Sequence, residues 1–182
     1  TYPISQSFLS FTQKLPPNFR LCIFGSEHDA VELCKFSALC GWDVDVFSSS
    51  PEIRLFQQFS TAKTIKYIQP EDIKRLHIDS ETAMVLMTHN FAKDLAYLIE
   101  LSQHTNQPNY IGIIGSTKRM NQLESSLFEH LPYLDEHFIE RLHGPAGLNI
   151  GSITPQEIAI SILSEITQNI RLGASKTILD TF

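Results

Sequence analysis

The stretch LCIFGSEHDAVELCKFSALCGWDVDVFSSS, residues 21–50, has the order of strand, glycine turn, helix and strand that opens a nucleotide-binding unit. A short apolar run ends at Gly25, a helical pattern follows, and a second strand pattern begins after Gly41. A dinucleotide site would have a second glycine in place of Glu27 and an acid for the ribose in place of Ser48. The stretch therefore predicts the fold and leaves the ligand open.

The rest of the chain keeps alternating between strand and helix patterns. The last helix has the clearest start, because Thr154 and Glu157 form a capping box around Pro155 at the first helical position. Such alternation implies right-handed crossovers between parallel strands. We therefore predict the α/β class, a Rossmann-like, doubly wound and mostly parallel sheet flanked by helices. Its further strands are expected at 63–68, 82–88 and 110–115.

Two segments are expected along the chain. Residues 1–19, rich in Ser, Gln and Pro, are predicted to be an N-terminal linker or docking segment, because its adjacent prolines cannot donate backbone hydrogen bonds. Residues 20–182 are predicted to form one Rossmann-like domain. A linker in this position suggests that a preceding domain is either missing or never existed.

Composition excludes several classes of function. A net charge of -6 argues against unspecific binding of nucleic acids, which needs a basic surface. No apolar run approaches the roughly 18 residues that span a membrane, and no signal peptide is evident. Three cysteines without a C-x-x-C spacing indicate reduced thiols in a cytoplasmic protein. The histidines form no metal-binding pattern, so we expect no bound metal.

Ligands of such sheets bind beyond the carboxyl ends of the strands, so the loops that follow the strands hold the candidate residues. In the loop after the first strand, the side chain of Glu27 is expected to obstruct and repel a phosphate. After the fourth strand, His89 is expected to face the crevice and Asn90 to cap a helix. The complete candidate set for cofactor binding is Gly25, Ser26, His28, His89, Asn90, Gly115, Ser116, Lys118, Arg119, Gly147 and Asn149.

The loop after the fifth strand is the best predicted anion site. Gly115 permits a close turn, Ser116 can cap the next helix, and Lys118 and Arg119 add positive charge to its N-terminus. Arg119 is expected to contribute more to phosphate binding than Lys118, since its planar guanidinium group can bind two phosphate oxygens at once. Folding is expected to survive the loss of either cation, because the helix dipole does not favour a cation in the first turn.

Three motifs resemble the C-terminal domain of the XdhC/CoxI family. They are MVLMTHNFAKDL at 84–95, YIGIIGSTKR at 110–119, and HGPAGLNIGSITPQEIAISILSEI at 143–166. The family's first loop resembles G-A-G-H, so Gly25 and His28 match, whereas Ser26 and Glu27 depart from it. The resemblance covers roughly residues 20–170 and implies a Rossmann-type domain.

What the resemblance implies about function is the handling of molybdenum cofactor. Family members bind it, protect it, support its sulfuration and transfer it to a molybdenum hydroxylase apo-enzyme such as xanthine dehydrogenase. The implied partners include a cysteine desulfurase and a separate N-terminal XdhC domain. Formation of a homodimer is a further possibility. Two alternatives also stay open, namely an NAD(P)-dependent oxidoreductase and a docking module without a ligand.

Overall fold

The computed structural model of the protein describes residues 18–49 and 57–172. Residues 1–17 of the predicted linker lie outside these ranges, so the domain boundaries remain predictions. The elements in chain order are β1 (Arg20–Phe24), α1 (His28–Leu39), β2 (Asp43–Ser48), β3 (Thr64–Tyr67), a 3-10 helix (Pro70–Arg75), β4 (Thr82–Leu86), α2 (Phe91–Ser102), β5 (Tyr110–Ile113), α3 (Thr117–His130), α4 (Glu136–Ile139), β6 (Leu142–His143) and α5 (Pro155–Leu172).

The strands form one parallel sheet of six in the order β3-β2-β1-β4-β5-β6. Leu21 in β1 lies between Val44 of β2 and Ala83 of β4, so β1 is central. This is the strand order of doubly wound dinucleotide-binding folds. The predicted fold class is confirmed.

Each face of the sheet has its own apolar core. In β1, Leu21 and Ile23 face the layer formed by α1 and α5, whereas Cys22 and Phe24 face the layer formed by α2 and α3. Alternate residues of a strand point to opposite faces, so a strand covered on both sides is apolar throughout. This explains why the strands read as continuous apolar runs.

The helix starts follow the predicted capping. Glu157 N donates to Thr154 Oγ1 over 3.3 Å, and Thr154 N donates to Glu157 Oε2 over 2.8 Å.

The two-residue strand β6 was not predicted, because it is too short for a periodic pattern. None of the helices in the described ranges combines the length and apolar character needed to cross a membrane.

Candidate functional site

The loops after β1 and β4 meet at the carboxyl edge of the sheet, because the chain continues from β1 to β2 on one side and from β4 to β5 on the other. Doubly wound folds place their ligand crevice at this switch point. Gly25 N donates to Phe47 O over 2.9 Å, and Met87 N donates to Phe24 O over 2.7 Å. Gly25 has φ 147°, and a Cβ there would lie 2.3 Å from Met87 O. Only glycine fits this approach of two loops, which gives Gly25 a structural role beside its predicted ligand role.

The first loop presents its polar side chains to solvent. Glu27 is the N-cap residue of α1, but its side chain makes no capping hydrogen bond and is exposed. Ser26 is partly exposed and His28 is exposed. The carboxylate therefore stands at the helix N-terminus, where a bound phosphate of a dinucleotide would lie. The predicted obstruction by Glu27 is compatible with this placement and remains a prediction.

His89 follows β4 in a backbone conformation that side chains rarely adopt. Its φ is 54°, and it is the one residue other than glycine with positive φ in the described ranges. Its Nε2 lies 3.8 Å from Asp29 Oδ2 in the first turn of α1. Left-handed backbone costs about 1–3 kcal/mol and is enriched at ligand sites. His89 lies in the loop after β4, and its role as a ligand residue remains a prediction. Its neighbour Asp29 was not foreseen.

Asn90 caps α2 as predicted. Its Oδ1 accepts a hydrogen bond from Lys93 N over 3.1 Å. The carboxamide oxygen is thus used within the fold, and the amide nitrogen is the atom left for a ligand.

A buried ionic cluster, which we call the Asp94 cluster, connects the loops after β4 and β5. The Asp94 side chain is completely buried, and Arg119 Nη2 lies 2.6 Å from its Oδ2. Thr88 Oγ1 donates to Asp94 Oδ1 over 2.5 Å. The Arg119 guanidinium carbon also lies 5.8 Å from the centre of the Phe91 ring, within cation–π range.

This cluster changes the expected role of Arg119. The guanidinium was expected to meet a phosphate, but it is paired with Asp94 and its side chain is only 23% exposed. A Cβ on Gly115 would lie 2.6 Å from Arg119 Cδ, so the arginine packs directly beneath the loop. Its assignment as a cofactor ligand stays untested, and the contacts give it a positioning role. The sequence did not reveal this role, because Asp94 is 25 residues away.

The remaining residues of the loop after β5 divide between two surfaces. Ser116 Oγ accepts from Arg119 N over 3.3 Å and caps α3, as predicted. Lys118 is exposed and lines a groove of about 810 Å³ with Phe91 and Asn121, between α2 and α3. Its contribution to the predicted anion site remains a prediction.

A cavity of about 470 Å³, which we call the β5–β6 cavity, lies between the loops after β5 and β6. Gly147 lines it with φ 104°, and a Cβ there would lie 2.4 Å from Ser161 Oγ. The exposed Asn149 also lines it. Its volume is in the range of small-molecule sites, roughly 300–1,000 Å³. The structure thus brings Gly115, Gly147 and Asn149 to one cavity.

Glu165 on α5 anchors this glycine-rich loop. Its Oε2 accepts from Gly147 N over 2.7 Å and from the Tyr110 hydroxyl over 2.5 Å. His143 Nδ1 lies 3.6 Å from Oε1, and its ring stacks on Tyr110 with the centroids 4.4 Å apart. Burial opposes ionisation of Glu165, but the nearby His143 imidazole and the hydrogen bonds from Tyr110 and Gly147 outweigh it and hold the pKa of Glu165 below its ordinary value. Burial, followed by the Glu165 charge, raises the pKa of Tyr110 far above its usual range.

Neither His143 nor Glu165 was among the predicted site residues. The packing of α5 on the sheet brings Glu165 next to Tyr110, His143 and Gly147, which are distant from it in the sequence.

Across residues 18–49 and 57–172, no group of three or more His, Cys, Asp or Glu side chains is arranged to hold a metal ion.

Residues 21–166 match the family described as the XdhC Rossmann domain. A protein of Bacillus subtilis (strain 168), named as a probable subunit of xanthine dehydrogenase, is 32% identical over 162 residues, which cover 87% of this chain and 45% of that protein. The uncharacterized protein YqeB of Escherichia coli (strain K12) is 32% identical over 154 residues, which cover 82% of this chain and 27% of that protein.

A crystal structure described as a xanthine dehydrogenase from Bacillus halodurans superposes with a TM-score of 0.71 and 31% identity, over 91% of this chain and 45% of that one. The chain spans less than half the length of each of these three proteins. Sequence motifs, strand order and these similarities agree. The chain belongs to the XdhC family and corresponds to its Rossmann domain.

Proposed function

We propose that this chain binds molybdenum cofactor at the β5–β6 cavity and the adjoining crevice, and passes it to a molybdenum hydroxylase apo-enzyme. It acts as a cofactor chaperone and not as a catalyst. The observation that carries the proposal is the cavity itself, which lies at a helix N-terminus and is lined by glycine-rich backbone. Membership of the XdhC family, with a relative named for xanthine dehydrogenase, supports the choice of ligand.

The cavity fits the anionic end of such a cofactor. Gly115 and Thr117 line it where α3 begins, and the first turn of a helix has backbone N–H groups without partners inside the helix. Ser116 satisfies the N–H of Arg119 only. The N–H groups before it, with the positive end of the helix dipole, favour a phosphate. The exposed Lys118 adds a positive charge nearby and strengthens the attraction over a longer range.

The polar groups of the last loop suit the hydrogen-bonding edge of a pterin. Asn149 offers both a donor and an acceptor, and Ser152 and Thr117 offer hydroxyl groups in the same cavity. Glu165 holds the loop in place through Gly147 N, so the cavity wall is formed before a ligand arrives. When bound, the cofactor supplies the molybdenum chemistry that the client hydroxylase uses. The residues of this chain bind it, orient it and shield it from water.

The crevice beside the cavity provides a second contact. The imidazole of His89 is 47% exposed and lies 3.8 Å from Asp29 Oδ2, so it is accessible to a ligand and can donate or accept a hydrogen bond. We propose that His89 and the Asn90 amide meet the cofactor on the β4 side. We further propose that the part of the relatives that this chain does not cover, together with a cysteine desulfurase, serves the sulfuration step.

The test is retention and transfer of the cofactor. The purified chain is incubated with molybdenum cofactor, separated by gel filtration and analysed for molybdenum and pterin by mass spectrometry. It is then mixed with an apo molybdenum hydroxylase. Wild-type protein is expected to retain the cofactor and to restore hydroxylase activity.

Matched variants locate the site. Asn149→Ala and His89→Ala are each expected to weaken retention by about tenfold, the loss of one to two good hydrogen bonds. His130→Ala provides the control, because that histidine is exposed at the far end of α3. Equal retention by all variants would remove the cavity from the binding site. No retention by wild-type protein would favour a docking module.

A further inference from the structure

The carboxyl end of β2 holds a lysine where dinucleotide-binding folds place an acid. Lys93 Nζ, from the first turn of α2, donates to Ser49 Oγ over 2.6 Å. Ser49 follows β2 directly, and the buried Ser48 ends the strand. An acid at this position binds the ribose hydroxyls, whereas a cation accommodates a phosphate on the ribose. Here two serine hydroxyls and the Lys93 ammonium stand in place of the acid. This position therefore favours an anionic group of a ligand.

Lys93 also differs from the other described lysines in its surroundings. Among lysines within 18–49 and 57–172, it alone is not exposed. Lys35 and Lys63 are paired with carboxylates, but the ion pairs of the described residues do not include Lys93. The hydrogen-bond partner of Lys93 is a neutral hydroxyl, so a bound anion would supply the opposite charge that Lys35 and Lys63 find in carboxylates. An ammonium has three donors, and the Ser49 hydroxyl uses one of them.

The rest of the crevice limits the ligand further. The carboxylate of Glu27 stands at the N-terminus of α1, where it repels the diphosphate of a dinucleotide. A phosphate is therefore favoured at the end of β2 and disfavoured at the end of β1. We propose that Ser49 and Lys93 bind the phosphomonoester of a nucleoside whose phosphate is on the ribose ring.

This subsite is distinct from the β5–β6 cavity, because β2 lies on one side of β1, whereas β5 and β6 lie on the other side, beyond β4. It adjoins the crevice proposed for the β4 side of molybdenum cofactor, since Asn90 Oδ1 accepts a hydrogen bond from Lys93 N. Asn149 lies in the cavity, so Asn149→Ala tests the cofactor site without changing Lys93, and each proposal can fail alone.

The probe is adenosine 2′-monophosphate, because it presents the phosphate without a diphosphate near Glu27. Binding is measured by NMR titration, with adenosine and inorganic phosphate as comparison ligands. Wild-type protein is expected to bind the nucleotide about ten- to a hundredfold more tightly than adenosine, as for one charge-assisted contact. Phosphate binding as tight as that of the nucleotide would overturn the nucleoside part of the proposal, and would indicate a general phosphomonoester site that also accepts the phosphate of the pterin.

Lys93→Gln tests the cation while keeping a donor toward Ser49. It is expected to abolish the preference for the nucleotide over adenosine. Lys74→Gln makes the same change at an exposed lysine and is expected to leave the preference unchanged. If Lys93→Gln does not fold, Ser49→Ala replaces it, with an expected loss of several-fold. A preference that survives in Lys93→Gln or Ser49→Ala, or that falls equally in Lys74→Gln, overturns the proposal.

Discussion

Arg119→Ala is expected to destabilise the domain strongly, although the residue is in the first turn of a helix. The substitution leaves the completely buried carboxylate of Asp94 with Thr88 as its remaining side-chain partner. Removing one partner of a buried ion pair costs roughly 3–5 kcal/mol. Because the Arg119 side chain is 23% exposed, solvent screens part of the pair. We expect a loss of about 2–4 kcal/mol, or about 4–16 °C in melting temperature.

Chemical denaturation of Arg119→Ala and Lys118→Ala measures this effect. The two substitutions remove the same charge from neighbouring positions, but the Lys118 side chain is exposed. Lys118→Ala is expected to change the free energy of unfolding by less than about 0.5 kcal/mol. A double-mutant cycle with Asp94→Ala then isolates the pair, with an expected coupling energy of about 1–3 kcal/mol. Equal denaturation midpoints for the two single variants would refute the reasoning from the Asp94 cluster.

Two further predictions follow from single carboxylates. Wild-type protein should show weak or no NAD binding by calorimetry, and Glu27→Gly should improve it modestly, since β2 still lacks the ribose acid; micromolar binding by wild-type protein would contradict the obstruction. The pKa of Glu165 is lowered in the folded state, so its stabilisation is present above its ordinary value of 4.5 and is lost as the pH falls through the folded pKa. Glu165→Gln should therefore flatten the acid limb of a plot of melting temperature against pH, and an unchanged acid limb would show that the loop anchor does not depend on charge.

Several predictions rest on the sequence alone. The linker at residues 1–19, the cytoplasmic location and the partners stay predictions. Cofactor binding by the candidate residues also stays a prediction. The structure gives the contacts of these side chains within the chain, and such contacts do not test binding.

Local patterns in the sequence determined the elements and their caps. The spacing of apolar residues along a segment indicates whether it forms a helix or a strand. The caps at Asn90, Ser116 and Thr154 each join two residues that are three positions apart in the sequence. Alternation of the elements then predicts a parallel sheet, because the right-handed crossover leaves few other topologies. These features were predictable because neighbouring residues decide them.

Only the tertiary structure decided what the polar side chains of the site contact. Arg119 meets Asp94 across 25 residues, Lys93 meets Ser49 across 44, and Tyr110 meets Glu165 across 55. A basic residue in the first turn of a helix has the same local sequence signature whether it faces a ligand or a buried acid. Its partner depends on how the helices pack on the sheet, which brings together side chains from loops that are distant in the chain.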